Sequence, residues 1–307
     1  MSNETNWEKV IIHEVGMRDG FQMESELIPI ITKEMILQWL IESGIDVLQV
    51  GSFVHPKLLM QMSDTDELFD YIWESGLKTD KTILSALVLN RKGLERGLKV
   101  NVEMFCMGVS ASETHSKKNT GKSTDEALED IIPMALDALE ENKKVQVSVQ
   151  SAFGCGYEGK IDENRVYAIV EKYLDAGLKN ISLADTAGHA KPEQVERMFK
   201  HIFEMDNTIE AACHFHDTYG YGMANIETAI NTGVKYIETA FGGLGGCPFT
   251  KSPSGNVPTE DFLYELQKKG YRKDIDLNKI IQSSNYMANF LMRDLPGKVY
   301  KKGSVKQ

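Results

Sequence analysis

Four times in this chain an amphipathic stretch runs into a glycine and an apolar strand pattern begins at once: Glu42-Ser43-Gly44-Ile45, Glu95-Arg96-Gly97-Leu98, Asp175-Ala176-Gly177-Leu178 and Asn231-Thr232-Gly233-Val234. Glycine closes helices in the left-handed conformation, so each instance predicts a helix-to-strand junction. If two strand-helix units lie between successive glycines, a unit is roughly 27 residues, with extra loop in the middle interval, the size expected of parallel α/β architecture. Filling in the alternate units predicts strands near Val10 to Val15, Val47 to Val50, Ile83 to Val88, Val100 to Met107, Val145 to Val149, Asn180 to Ala184, Ala211 to Phe215 and Tyr236 to Phe241. Eight such strands predict an α/β fold of the (β/α)8 TIM-barrel class, whose chemistry sits where the strands end. Periodicity alone does not show closure, and an open doubly wound sheet is the alternative.

A chain of 307 residues with 42% hydrophobic content suits one large core, because α/β barrels need roughly 250 residues. The expected organisation is a single catalytic domain, with the barrel over about 8–257 and a C-terminal helical tail over about 258–295. A net charge of -11 excludes the clustered basic footprint of a nucleic-acid binder. The N-terminus lacks the apolar core of a signal peptide, and no apolar run approaches the roughly 20 residues of a membrane span, so a cytoplasmic protein without membrane contact is expected. Four cysteines without paired zinc spacing are expected to be reduced thiols.

The polar clusters fall at predicted strand ends. Arg18-Asp19-Gly20 follows strand one, Gln49 lies at the end of strand two and Asn90 follows strand three. Ser110, Ser112 and Glu113 follow strand four, Ser151 follows strand five and Asp185 ends strand six. His214-Phe215-His216 ends strand seven. Residues i and i+2 of a strand point to one face, so both imidazoles can meet one ion. Taken singly, Arg18-Asp19-Gly20 is a turn with a local ion pair, Cys247 an inert thiol and Asn256 a turn residue. Taken together, a carboxylate, two imidazoles and an amide oxygen make a mixed O/N donor set suited to Mg²⁺ or Mn²⁺. Past strand eight, Gly242-Gly243-Leu244-Gly245-Gly246-Cys247-Pro248 predicts a glycine-rich lid loop.

At this point the chain resembles a known family. His13-Glu14-Val15-Gly16-Met17-Arg18-Asp19-Gly20-Phe21-Gln22, Ser52-Phe53-Val54-His55-Pro56-Lys57, Cys213-His214-Phe215-His216-Asp217-Thr218-Tyr219-Gly220 and Gly243-Leu244-Gly245-Gly246-Cys247-Pro248-Phe249 are similar to 3-hydroxy-3-methylglutaryl-CoA lyases, members of a metal-dependent TIM-barrel lyase and synthase superfamily. The likeness runs from about residue 8 to about residue 290, in order. It implies that Asp19, His214, His216 and Asn256 hold a divalent cation. Arg18 would stabilise the charge developing on the thioester oxygen, and Cys247 would protonate the enolate. Asp185 would orient Arg18 or a metal ligand from behind. Lys117, Lys118 and Lys122 would meet CoA phosphates. The implied reaction is a retro-Claisen cleavage of an acyl-CoA to acetyl-CoA and acetoacetate, in a homodimer.

Departures from the family bear on the acyl group. Gln49 stands where the family carries a glutamate, His55 stands where a serine is usual, and the strand-four loop continues Thr114-His115-Ser116-Lys117 where apolar residues are usual after the acid. A glutamine can neither take a proton nor carry charge. The expectation is therefore conserved metal chemistry with an altered substrate. The rivals are a lyase for another branched 3-hydroxyacyl-CoA, a condensing synthase, disfavoured by only about 65 residues after strand eight, and a non-catalytic metabolite-binding relative.

Overall fold

The computed structural model describes residues 5–55, 59–246 and 255–303. Its eight strands are β1 (Ile11–Glu14), β2 (Val47–Ser52), β3 (Ile83–Leu87), β4 (Met104–Ser110), β5 (Lys144–Gln150), β6 (Asn180–Asp185), β7 (Glu210–Phe215) and β8 (Tyr236–Thr239). Each pairs in parallel with the next, and β8 returns to β1 through the register Ile11 to Tyr236, which closes the barrel. The helices are α1 (Ile30–Glu42), α2 (Thr65–Glu74), α3 (Arg91–Lys99), α4 (Glu113–Thr120), α5 (Thr124–Glu140), α6 (Glu163–Asp175), α7 (Pro192–Met205), α8 (Gly222–Thr232), α9 (Thr259–Lys268) and α10 (Leu277–Phe290). None is long and apolar enough to cross a membrane among the described residues.

Three of the four junction glycines do what the sequence predicts. Gly44, Gly177 and Gly233 follow α1, α6 and α8 with φ of 77°, 81° and 117°. Gly97 does not. It lies inside α3, where an added Cβ would stand 2.5 Å from the Phe105 ring, so it is small to let helix and strand approach. The left-handed residue that ends this helix is Asn101, with φ of 57°, and β4 consequently starts at Met104 rather than Val100. β8 likewise stops at Thr239, because Ala240 pairs with Pro258 and the chain turns tightly over Phe241–Gly243.

Several polar residues at strand ends start the next helix. Asn90 accepts the amide of Gly93 (2.9 Å) at the start of α3, and Ser112 accepts that of His115 (3.1 Å) at the start of α4. Each satisfies an amide that has no partner within its helix, typically for about 1 kcal/mol. Glu113 accepts from the Thr124 amide (3.2 Å), which ties α4 to α5. These residues hold the frame, and the chemistry is left to others.

At the N-terminal end of the strands, Arg272 grips Asp46 with two nitrogens (2.6 and 2.7 Å) and donates to the Val10 carbonyl (2.7 Å). Asp46 in turn accepts the amide of Ile12 (2.8 Å). At the opposite end, α10 packs on α1 and on the Phe241–Gly243 turn, which anchors the glycine-rich segment.

Candidate metal centre

Asp19 reaches the barrel mouth because the chain coils into one tight turn, Gly16–Gly20, as soon as β1 ends; the Asp19 amide donates to Val15 O (2.7 Å). The turn is held by the buried Glu14. One of its oxygens accepts the amides of Gly16 (2.7 Å) and Phe241 (3.0 Å), and the other accepts the Thr259 hydroxyl (2.5 Å). One carboxylate therefore ties the Asp19 turn to the root of the glycine-rich loop. Burial pushes that carboxyl up to about 7.

His214 is the last residue but one of β7, and His216 follows the strand in a bridge to Asn256. Both Nε2 atoms lie 3.9 Å from Oδ2 of Asp19, and the three donor atoms fall within 4.8 Å of one another. The Asn256 amide nitrogen donates to the same Asp19 oxygen (2.8 Å) and to Leu244 O (2.9 Å), while its own oxygen Oδ1 is buried without a hydrogen-bond partner. A buried acceptor that is not satisfied is a cost unless something else arrives to meet it. A carboxylate, two imidazoles and this amide oxygen fit a hard or borderline dication.

Electrostatics favour the same reading. Burial pushes Asp19 up, but the Arg18 guanidinium, helped by His216 and His214, outweighs it and holds the carboxyl well below the usual range. Arg18 hydrogen-bonds Oδ1 of Asp19 and Oε1 of Gln49, and Gln22 adds a third contact to Asp19 at 3.0 Å. Gln49 is thus the uncharged neighbour that orients Arg18.

Glu238 on β8, which the sequence reading passes over, is the residue behind His214. Its Oε2 lies 3.0 Å from His214 Nδ1, and its Oε1 accepts the Ser182 hydroxyl at 2.9 Å. A carboxylate on the far nitrogen of a ligating histidine fixes the ring and directs Nε2 forward. Burial opposes charge on both partners, yet their mutual contact prevails, so His214 is shifted up and Glu238 down. The available signal was register: His214 pairs with Glu238 across β7 and β8.

Other expected site residues are placed differently. Both oxygens of Asp185 accept backbone amides, those of His189 (2.8 Å) and Ala190 (2.9 Å), so its hydrogen bonds organise the loop after β6 instead of orienting Arg18 or a ligand. Lys117 and Lys118 are exposed on α4, with Lys118 over the Tyr157 ring at 4.8 Å, and Lys122 is paired with Asp130. The residues that α4 contributes to the cavity wall are His115 and Asn119. Cys247 lies outside the described residues. The segment before it is shaped by close contact: Gly245 has φ of 104°, and a Cβ on Gly255 would stand 2.4 Å from the Gly245 carbonyl carbon, so the two backbones cross with no room for side chains.

The ligand cluster opens on a cavity of about 530 Å³ that enters the barrel past Arg18, Gln49, Gln146 and Ser182. Arg18 and the three donors share its wall, which puts a fixed cation and a metal-ready cluster on one bound molecule.

The HMGL-like family model matches residues 9–287. The hydroxymethylglutaryl-CoA lyase YngG of Bacillus subtilis is 34% identical over 291 residues, 94% of this chain and 96% of the relative. The (R)-citramalyl-CoA lyase of Chloroflexus aurantiacus is 31% identical over 304 residues, 97% of this chain and 96% of the relative. A solved HMG-CoA lyase from Acinetobacter baumannii, in complex with coenzyme A and 3-methylmalate, superposes with a TM-score of 0.89 at 32% identity, covering 98% of this chain and 97% of that one.

Proposed function

The chain belongs to the HMGL-like family, and on that premise we propose that it is a divalent-metal-dependent carbon-carbon lyase that cleaves 3-hydroxy-3-methylglutaryl-CoA, or a close analogue, to acetyl-CoA and acetoacetate. The observation that carries this is the convergence of Asp19, His214 and His216, from opposite ends of the chain, within 4.8 Å at the mouth of a cavity lined by Arg18. Asp19, His214, His216 and Asn256 would hold Mg²⁺ or Mn²⁺, which would supply Lewis acidity toward the substrate's hydroxyl and carbonyl oxygens.

The chain's own groups do the rest. Arg18, oriented by Gln49 and Asp19, presents a permanent positive charge where the thioester oxygen becomes enolate-like as the bond between C2 and C3 breaks. Glu238 keeps the His214 ring in a fixed orientation throughout. Glu14 holds the Asp19 turn against the root of the glycine-rich segment at Phe241, so the ligand carboxylate is positioned together with that root. Cys247 delivers the proton that converts the enolate of acetyl-CoA to the product, and the proton that the 3-hydroxyl loses on becoming the ketone restores the thiol. Bulk water is kept out while this happens.

A second reading, cleavage of another branched 3-hydroxyacyl-CoA, is favoured by Gln49: its contact to Arg18 is neutral where the family carries an acid, which changes the charge balance beside the acyl group. Metal-loaded protein offered 3-hydroxy-3-methylglutaryl-CoA should release acetyl-CoA, and Asp19→Asn should stop release together with Mn²⁺ binding by titration calorimetry. Wild-type protein that binds Mn²⁺ yet turns over no 3-hydroxyacyl thioester would leave only a metabolite-binding role. Sedimentation in solution tests the homodimer that belongs to the same reading.

A further inference from the structure

Barrels of this class are normally filled by layers of side chains, but this one holds a cavity of about 530 Å³ below the ligand cluster, and part of its wall is made of short side chains. Ser148 on β5 is one of them, and its Oγ takes up the space beside Gly108 of β4, where an added Cβ would stand 2.0 Å away. Ser182 and Ala184 on β6 are equally short. The cavity therefore descends from the ligand cluster to Cys106, Gln146 and Glu238. Gln146, Ser148 and Gln150 alternate along β5, so they share a face, and all three line the cavity.

Gln146 differs from its neighbours. It is 3% exposed, its Oε1 faces the Cys106 thiol at 3.9 Å, and its Nε2 has no hydrogen-bond partner. The hydroxyls around it are engaged, and of the neighbouring imidazole of His13 only Nδ1 is open. Ser148 donates to Met107 O (3.2 Å), Ser182 to Glu238 (2.9 Å), and His13 Nε2 meets Ser85 Oγ at 2.8 Å. A buried amide donor left open on the cavity wall, beside hydroxyls that are already engaged, fits an acceptor that arrives with the ligand.

The position of that donor says which part of the ligand it meets. The reacting hydroxyl and thioester belong beside Arg18 and the donor cluster at the mouth, so the far end of the acyl chain has the cavity beneath them to enter. We propose that Gln146 reads an oxygen at this far end, the part that leaves as the ketone product, and that the substrate class is branched 3-hydroxyacyl thioesters carrying such an acceptor. This inference rests on the lyase reading above. A neutral amide donor does not demand charge, and the deep wall around Gln146 contributes no lysine or arginine among the described residues. Anionic and uncharged oxygens are both admitted.

The test compares 3-hydroxy-3-methylglutaryl-CoA with 3-hydroxy-3-methylbutyryl-CoA, which lacks the distal carboxylate and cleaves to acetone and acetyl-CoA. Wild-type protein should prefer the first in kcat/KM. Gln146→Leu should shrink that preference about tenfold, the size expected for one lost hydrogen bond in a closed site. Gln146→Glu, which keeps the shape but sets like charges together, should shrink it at least as far. A preference unchanged in both folded variants overturns the proposal. If wild-type protein turns over neither thioester, the lyase reading fails instead. Titration of both thioesters then still decides the role of Gln146: a dissociation-constant ratio that is the same in wild type and Gln146→Leu overturns it, and a ratio about tenfold smaller in the variant supports it.

Discussion

The two ends of the barrel bury charge in opposite ways. At the N-terminal end, Arg272 and Asp46 satisfy each other with two hydrogen bonds, and backbone groups of Val10 and Ile12 take up remaining capacity. At the C-terminal mouth, Asp19 gathers Arg18, Gln22 and Asn256, with two imidazoles at 3.9 Å, and the Asn256 oxygen is still open. Both are concentrated polar clusters of named charges. The closed set acts as a structural clamp, whereas an open acceptor inside a cluster of metal-ligating side chains marks a place where something binds.

The comparison breaks most sharply if the mouth proves to be a clamp as well. Asp19→Asn should cost about three orders of magnitude or more in kcat, because a ligand and a charge partner of Arg18 go together. Some stability should be lost with the Arg18 pair, but the variant should stay folded, so a loss of activity that is no larger than the fraction unfolded would place Asp19 with the structural residues. The reverse holds for Arg272→Met. Removing one partner of a largely buried pair, discounted for the partial exposure of Asp46, should cost about 2 kcal/mol in urea unfolding while activity per folded molecule stays at the wild-type value.

Glu238 sharpens the contrast, since it is a satisfied residue that serves an unsatisfied one. Glu238→Gln should weaken Mn²⁺ binding about 10- to 100-fold by calorimetry, with the far-ultraviolet spectrum unchanged. An affinity within twofold of wild type would make the His214 contact a matter of packing.

The smallest effect concerns Glu260, which accepts the Gly242 amide (2.9 Å) and whose carboxyl burial pushes up to about 8. With the folded value above the unfolded one, the native state holds more protons between about pH 4.5 and pH 8. Its contribution is therefore complete below that window and is lost as pH rises through it. Glu260→Gln should accordingly flatten the decline in stability across this range. A parallel pH profile for variant and wild type would show that Glu260 does not titrate there.

Much of the site was legible because its letters are chemically unusual where they stand. His214-Phe215-His216 interrupts an apolar strand with a pair that alternation puts on one face, and Arg18-Asp19-Gly20 directly follows another. Glu238 and Gln146 were not legible in the same way. A single acid or amide inside a short strand reads as an outward-facing polar residue, and only closure shows that its face is the lumen. Asn90 and Ser112 mislead for the opposite reason, because a polar residue between strand and helix serves a cap as readily as a site. Lys117 and Lys118 carry the right charge for phosphate on a helix whose cavity-facing positions are His115 and Asn119.

The sequence by itself determined the strand-helix alternation, most of the helix ends and the residue types able to bind a dication, because local backbone preference and side-chain chemistry are written residue by residue. Only the tertiary structure decided that β8 meets β1, that one carboxylate oxygen of Asp19 lies equidistant from two imidazoles, and that the cavity at the mouth reaches down to Gln146. Those facts depend on separations set by closing the sheet, and a distance between residues two hundred positions apart is a property of the packed chain.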